Sequence, residues 1–215
     1  MSTFTRPQGI AAVLALTFLS AAAASDTGPI YVQMVDRAGL SQKLRNEAEA
    51  TVQAIFGKAG LSLAFVDCSG APDPKDYFLQ ILNLRPKHLP PDSTGSTVLV
   101  RSAQPGDSYA AIWFPEVESA ALSLDAPVAS VLAATIAHEM GHLLLHSSGH
   151  SHSGVMSPRM DRRQIRLLER GELLFTPAQS ASFRSSAYNG LKPSTAGGER
   201  HGEIPERTRS GSCTR

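Results

Sequence analysis

The run Val128-Ala129-Ser130-Val131-Leu132-Ala133-Ala134-Thr135-Ile136-Ala137-His138-Glu139-Met140-Gly141-His142-Leu143-Leu144-Leu145 is apolar all round in its first half and then takes up two imidazoles and a carboxylate. With Asp125 as cap and Pro127 in the first turn, the pattern predicts a helix from Asp125 or Ala126 to about His146. A helix without a polar face belongs in the interior. This one therefore carries ionisable side chains into a core.

His138-Glu139-Met140-Gly141-His142 has the form His-Glu-x-x-His. Four residues advance a helix by about 400° and 6 Å, so both imidazoles project from one face and can meet at one ion. Zinc, held about 2.0 to 2.1 Å from each nitrogen, suits that arrangement. Glu139, about 100° further round, lies beside the ion, where its carboxylate can take a proton from an activated water and pass it to a leaving amine. Buried charge is costly unless partnered, and a single metal accounts for all three side chains. A catalytic ion needs a third protein ligand and an open position. His146 sits about 12 Å along the helix from His138 and is too far to share that ion, so it is expected at the helix end or hydrogen-bonded behind a ligand. Ser147-Ser148-Gly149 can turn the chain back and bring in His150 or His152, both of which satisfy the geometry. Gly154-Val155-Met156 reads as a second turn whose Met is either core or the floor of the site.

Upstream, Leu40, Leu44, Ala48, Val52, Ile55 and Ala59 recur at helical spacing and predict an amphipathic helix over 41–58, ended by Gly60. Strands are expected at 30–35, 61–66, 77–82, 97–100 and 109–114, the last stopped by Pro115. Pro86, Pro90, Pro91 and Gly95 mark a loop. Downstream, shorter helices are expected at 161–170 and 177–187, the latter capped at Thr176-Pro177. The order strand, helix, strands, long buried helix and helical remainder predicts an α+β domain over 25–188, a mixed sheet of about five strands packed on the buried helix with a small helical C-terminal part.

The ends of the chain differ from this body. Residues 1–24 combine Arg6, an apolar stretch from Ile10 to Leu19 and the small finish Ala21-Ala22-Ala23-Ala24, the pattern of an export signal peptide. That stretch is shorter than the roughly 20 residues of a bilayer span. No later segment reads as a span, because 128–137 runs into His138 and Glu139. A secreted or periplasmic protein without stable membrane association is expected. Residues 189–215 lose apolar periodicity and read as a disordered tail. The 215 residues suit one domain, and 20 basic against 19 acidic side chains argue against a nucleic-acid binder held by phosphate neutralisation. Cys68 and Cys213, the two cysteines, allow one disulfide but not a four-thiolate zinc site.

The segment 136–156 resembles the zincin metallopeptidases, and its layout of helix motif, turn, third His and downstream Met is similar to the metzincin branch. The resemblance implies a zincin-like fold, with His138 and His142 as zinc ligands, Glu139 as general base and Met156 beneath the zinc. The usual metzincin spacing would put Gly at 145 and the third His at 148, where this chain has Leu145 and Ser148. The segment is closer to a set of uncharacterised exported bacterial proteins with a longer spacer, and that likeness places the third ligand on His150. The Gly of their pattern is replaced by His146, leaving Gly149 to make the turn. Zincins hold an extended substrate against the edge strand beside the active-site helix, which implies that role for 109–114, with Tyr109 or Trp113 lining a subsite or the core. The expectation is an exported peptidase acting on peptide or protein substrates with one catalytic Zn2+. The alternative is a catalytically inactive zincin-like protein, or a His-rich metal-binding protein using His146, His150 and His152.

Overall fold

The computed structural model describes residues 28–67, 77–90, 93–99 and 108–190, apart from the side chains of 186–190. The expected export signal, Cys68, Cys213 and the tail beyond Gly190 lie outside the described residues. β1 (Ile30–Asp36) ends on a carboxylate that accepts from the main-chain N–H groups of Ala38, Gly39 and Leu40 at 2.8, 2.9 and 2.7 Å. That turn feeds α1 (Gln42–Lys58), capped by Ser41, whose hydroxyl accepts from the Leu44 N–H. Ala48, Val52, Ile55 and Phe56 form its buried stripe, as the helical spacing requires. Gly60, at φ +88°, turns the chain toward β2 (Leu63–Val66).

β3 (Tyr77–Leu82), β4 (Gly95–Val98) and β5 (Tyr109–Trp113) complete a sheet in the order β2-β1-β3-β5-β4. The first four strands are parallel and β4 runs antiparallel on β5. The described residues thus form an α+β fold with a five-stranded mixed sheet and five helices. Met34, Leu79 and Ala110 lie in register, as do Ile81 and Ile112, and all five are buried. Side chains alternate across a strand, so this ladder marks the inner face. Gly95 pairs with Ile112 and Thr97 with Ala110. Both therefore look inward from β4.

β5 leads directly into α2 (Phe114–Leu124), a helix the sequence reading missed. Pro115 was expected only to stop a strand, but proline fits the first turn of a helix, where its missing N–H has no intrahelical partner to lose. Val117 and Ala121, one turn apart, are its buried residues. Asp125 does not cap the following helix. It closes α2 in the left-handed conformation, at φ 53°, and Pro127 is the N-cap of α3 (Val128–Leu145). β4 also starts two residues earlier than expected and includes Gly95, which belongs to a strand instead of a loop.

α3 packs against β4, β5 and all four other helices, and it is buried from Val131 to Ala137. By length and composition α3 is apolar enough to cross a membrane, contrary to the expectation from 128–137, with a mean hydropathy of 1.4. In the fold, 72% of that window is buried against the rest of the domain. α4 (Arg162–Glu169) opens with a reciprocal capping box between Asp161 and Gln164. α5 (Pro177–Gly190) opens the same way, with Thr176 and Gln179 exchanging main-chain to side-chain bonds of 2.9 and 3.3 Å.

Phe56 of α1, Phe175 and Phe183 of α5 close the back of the core, with ring centroids 4.8 Å apart for Phe56–Phe175 and for Phe175–Phe183. Phe183 is 1% exposed. Phe183→Ala is expected to cost about 3 to 5 kcal/mol of folding stability by opening a cavity under α5, read as a lowered denaturant midpoint.

Candidate metal centre

α3 presents His138 and His142 one turn apart, and the flanking chain fixes both rings from behind. The His138 Nδ1–H donates to the Val155 carbonyl at 2.9 Å, and the His142 Nδ1–H donates to the Ser147 carbonyl at 2.6 Å. A carbonyl can only accept, so each Nδ1 carries the proton and each Nε2 of a neutral ring keeps its lone pair. Those two Nε2 atoms face each other at 3.1 Å. Two lone pairs at that distance repel unless a proton or a metal ion lies between them. The separation is close to the ~3.3 Å expected for two nitrogens on one tetrahedral zinc.

His150 completes the group. Its ring lies 5.2 Å from His138 and 4.9 Å from His142 between centroids. One ligand atom from each of the three residues falls within 4.8 Å of the others, and together they could hold a metal ion. His152, equally open on sequence geometry, is exposed and stands outside this group, as does His146. His146 ends α3 as expected, but in an unexpected manner: it adopts the left-handed conformation itself, at φ 47°, and Gly149 does not. The turn at His146 lets the Ser147 N–H bond back to the His142 carbonyl while the Ser147 carbonyl receives the His142 ring.

The Met156 turn supports the same cluster from below. Gly154, at φ +79°, passes so close to the Leu174 carbonyl that a Cβ there would collide with it. The Val155 N–H donates to that same carbonyl, and Ser151 donates to Met156. Met156 is fully buried, and its Sδ occupies the space a Cβ on Gly141 would need. The glycine inside the His-Glu-x-x-His motif is thus the opening through which Met156 and Phe175 reach α3.

Glu139 points from α3 toward β4 and is 7% exposed. The Thr97 hydroxyl lies 2.6 Å from Glu139 Oε2 and 3.0 Å from the Glu139 carbonyl. Burial pushes the Glu139 carboxyl up to about 7, with the Thr97 bond opposing the push. Burial likewise pushes His138 down to about 4, against the Val155 hydrogen bond and with help from His142 and His150. His142 is lowered for the same reason. The helix therefore offers neutral imidazoles and a carboxyl poised to exchange a proton near neutral pH.

These groups open onto a cleft of about 740 Å³ that runs along β4, past α2 and over Arg159 and Met160. β5, expected at the edge, is an interior strand between β3 and β4, and the edge beside α3 is β4. Trp113 is a core residue at 2% exposure, and neither it nor Tyr109 lines the cleft. Thr97 and Gly95 were missed by sequence reasoning. The available signal was their spacing of two residues, which puts both on one face of a short strand. No protein-family model matches this chain, and no curated protein does.

His146→Gly is expected to stabilise the fold by about 0.5 to 1 kcal/mol, because glycine adopts the left-handed conformation without steric cost. Bound metal per chain should be unchanged, as checked by elemental analysis and melting. Glu139 predicts a pH effect. In the folded chain its proton is held up to about pH 7, against an ordinary value of 4.5, so rising pH removes stability across that window. Metal-free Glu139→Gln, with no proton to lose, should melt higher than the parent at pH 8, and the gap should close as pH falls to about 4.5.

Proposed function

We propose that this protein is an exported zinc-dependent metallopeptidase with a zincin-like fold, acting on peptide or protein substrates. The observation that carries the reading is the pair of Nε2 lone pairs 3.1 Å apart, with both Nδ1 positions committed to main-chain carbonyls and His150 beside them. Three imidazoles and no thiolate suit zinc among the borderline metals, and three protein ligands leave a fourth position open. Zinc bound there would supply Lewis acidity toward water and a peptide carbonyl.

The chain's own groups do the rest. Glu139, nearly enclosed between α3 and β4, accepts a proton from the attacking water and delivers it to the departing amine. Its raised affinity for the proton, caused by burial, fits both halves of that transfer. The Val155 and Ser147 carbonyls keep the His138 and His142 rings in one tautomer and one orientation. β4 pairs on one side with β5, and its other side borders the cleft, where an extended peptide can add as a further strand. The export signal of residues 1–24 supports a secreted or periplasmic site of action.

The His-rich buffer reading is disfavoured by position. Among the described residues the candidate metal group holds three His, the exposed His150 among them, while His146 and His152 stand apart from it. That arrangement suits one ion better than several.

One zinc per chain is expected in the parent and in His152→Ala, and none in His150→Ala. Chelation should abolish hydrolysis of an unstructured protein such as casein. Glu139→Gln should keep its zinc and lose turnover by about 10²- to 10⁴-fold. Undiminished cleavage by Glu139→Gln would remove the catalytic assignment.

A further inference from the structure

β4 has two inward-looking positions, Gly95 and Thr97, and Glu139 touches both. A Cβ on Gly95 would stand 2.9 Å from Glu139 Cγ and 3.0 Å from Oε1, so the side chain lies in the gap that glycine leaves. On its other oxygen, Oε2, it meets the Thr97 hydroxyl at 2.6 Å. Among the described residues no other donor bonds this carboxylate.

Proton accounting shows what Thr97 does there. Its hydroxyl has one proton and two acceptors in range, the Glu139 carbonyl at 3.0 Å and Oε2 at 2.6 Å. The carbonyl lies inside α3, where the helix already supplies an N–H from four residues on. The shorter bond, in the range of charge-assisted O–H···O contacts, is the one the proton serves. A second hydroxyl contact, from Thr135 to Thr94 at 3.2 Å, pins the start of β4 to α3. The strand and helix are therefore held in register at the position where Glu139 sits.

We propose that Thr97 is the positioning residue of Glu139: with the gap at Gly95, its hydroxyl holds Oε2 so that Oε1 is the oxygen that exchanges protons with the cleft. A glutamate side chain has three rotatable bonds, and an unanchored one spreads over several rotamers. Misplacing a proton acceptor by about 1 Å is enough to cost orders of magnitude in rate. The kinetic consequence rests on the peptidase reading, whereas the seat itself rests on distances alone.

The test compares full-length Thr97→Val, which keeps shape and removes the hydroxyl, with Thr97→Ser, which keeps the hydroxyl. Both are compared with the parent for zinc content, peptide hydrolysis and crystal structure. Thr97→Val is expected to bind one zinc per chain, to lose kcat by roughly 10- to 100-fold at unchanged KM, and to show the Glu139 carboxylate out of its seat. Thr97→Ser should restore both rate and seat. Overturning results are a Thr97→Val protein with parental kcat, a rate loss that follows zinc loss, or a crystal structure with Glu139 still in place. If the parent hydrolyses nothing under zinc saturation, the peptidase reading fails, and the crystallographic comparison alone decides the seat. If Thr97→Val does not fold, Gly95→Ala takes its place: a displaced carboxylate with lowered kcat supports the proposal, and an unmoved one overturns it.

Discussion

Everything at the centre of this fold follows from burying α3. An apolar helix packed against two strands and four other helices draws Glu139 and His142 into the interior and His138 part of the way, and each must then be partnered by something the fold supplies. Main-chain carbonyls take the two Nδ1 protons, a threonine takes one carboxylate oxygen, and the two Nε2 atoms are left facing each other. The facing Nε2 pair is an arrangement that a cation would satisfy. Burial thus selects the tautomers, the proton affinities and the metal-binding geometry in one step.

The supports come from three places in the chain, one of them remote in sequence and two just beyond the helix. β4 reaches Glu139 from one side, the Met156 turn reaches His138 and Gly141 from below, and the left-handed end of α3 swings Ser147 onto His142. None of these supports is a side-chain imidazole or carboxylate. Main-chain carbonyls and a threonine hydroxyl do the orienting, so none of the groups that orient the rings and the carboxylate carries a charge.

That division explains what could be read from the sequence. The helical stripe of α1, the all-apolar first half of α3 and the cap at Thr176 are local signals, and they were legible. The two histidines and glutamate of α3 were legible because their spacing alone sets their directions. His150 and His152 were not separable, since which of them returns to the helix depends on a left-handed His146. α2 was hidden because Pro115 serves equally well to end a strand or begin a helix. The exchange of edge strands was hidden too, because β4 is short, contains a glycine and pairs antiparallel with β5.

Gly141 and Met156 illustrate how such a site constrains its own evolution. The thioether fills the volume that any β-carbon at 141 would claim, so the two positions form a lock with only one key. Enlarging the first forces the thioether to shift, and shrinking the second leaves a void against α3 beside Gly141. Drift through this pair favours joint change, because a single step leaves either a crowded contact or a hole beside Gly141.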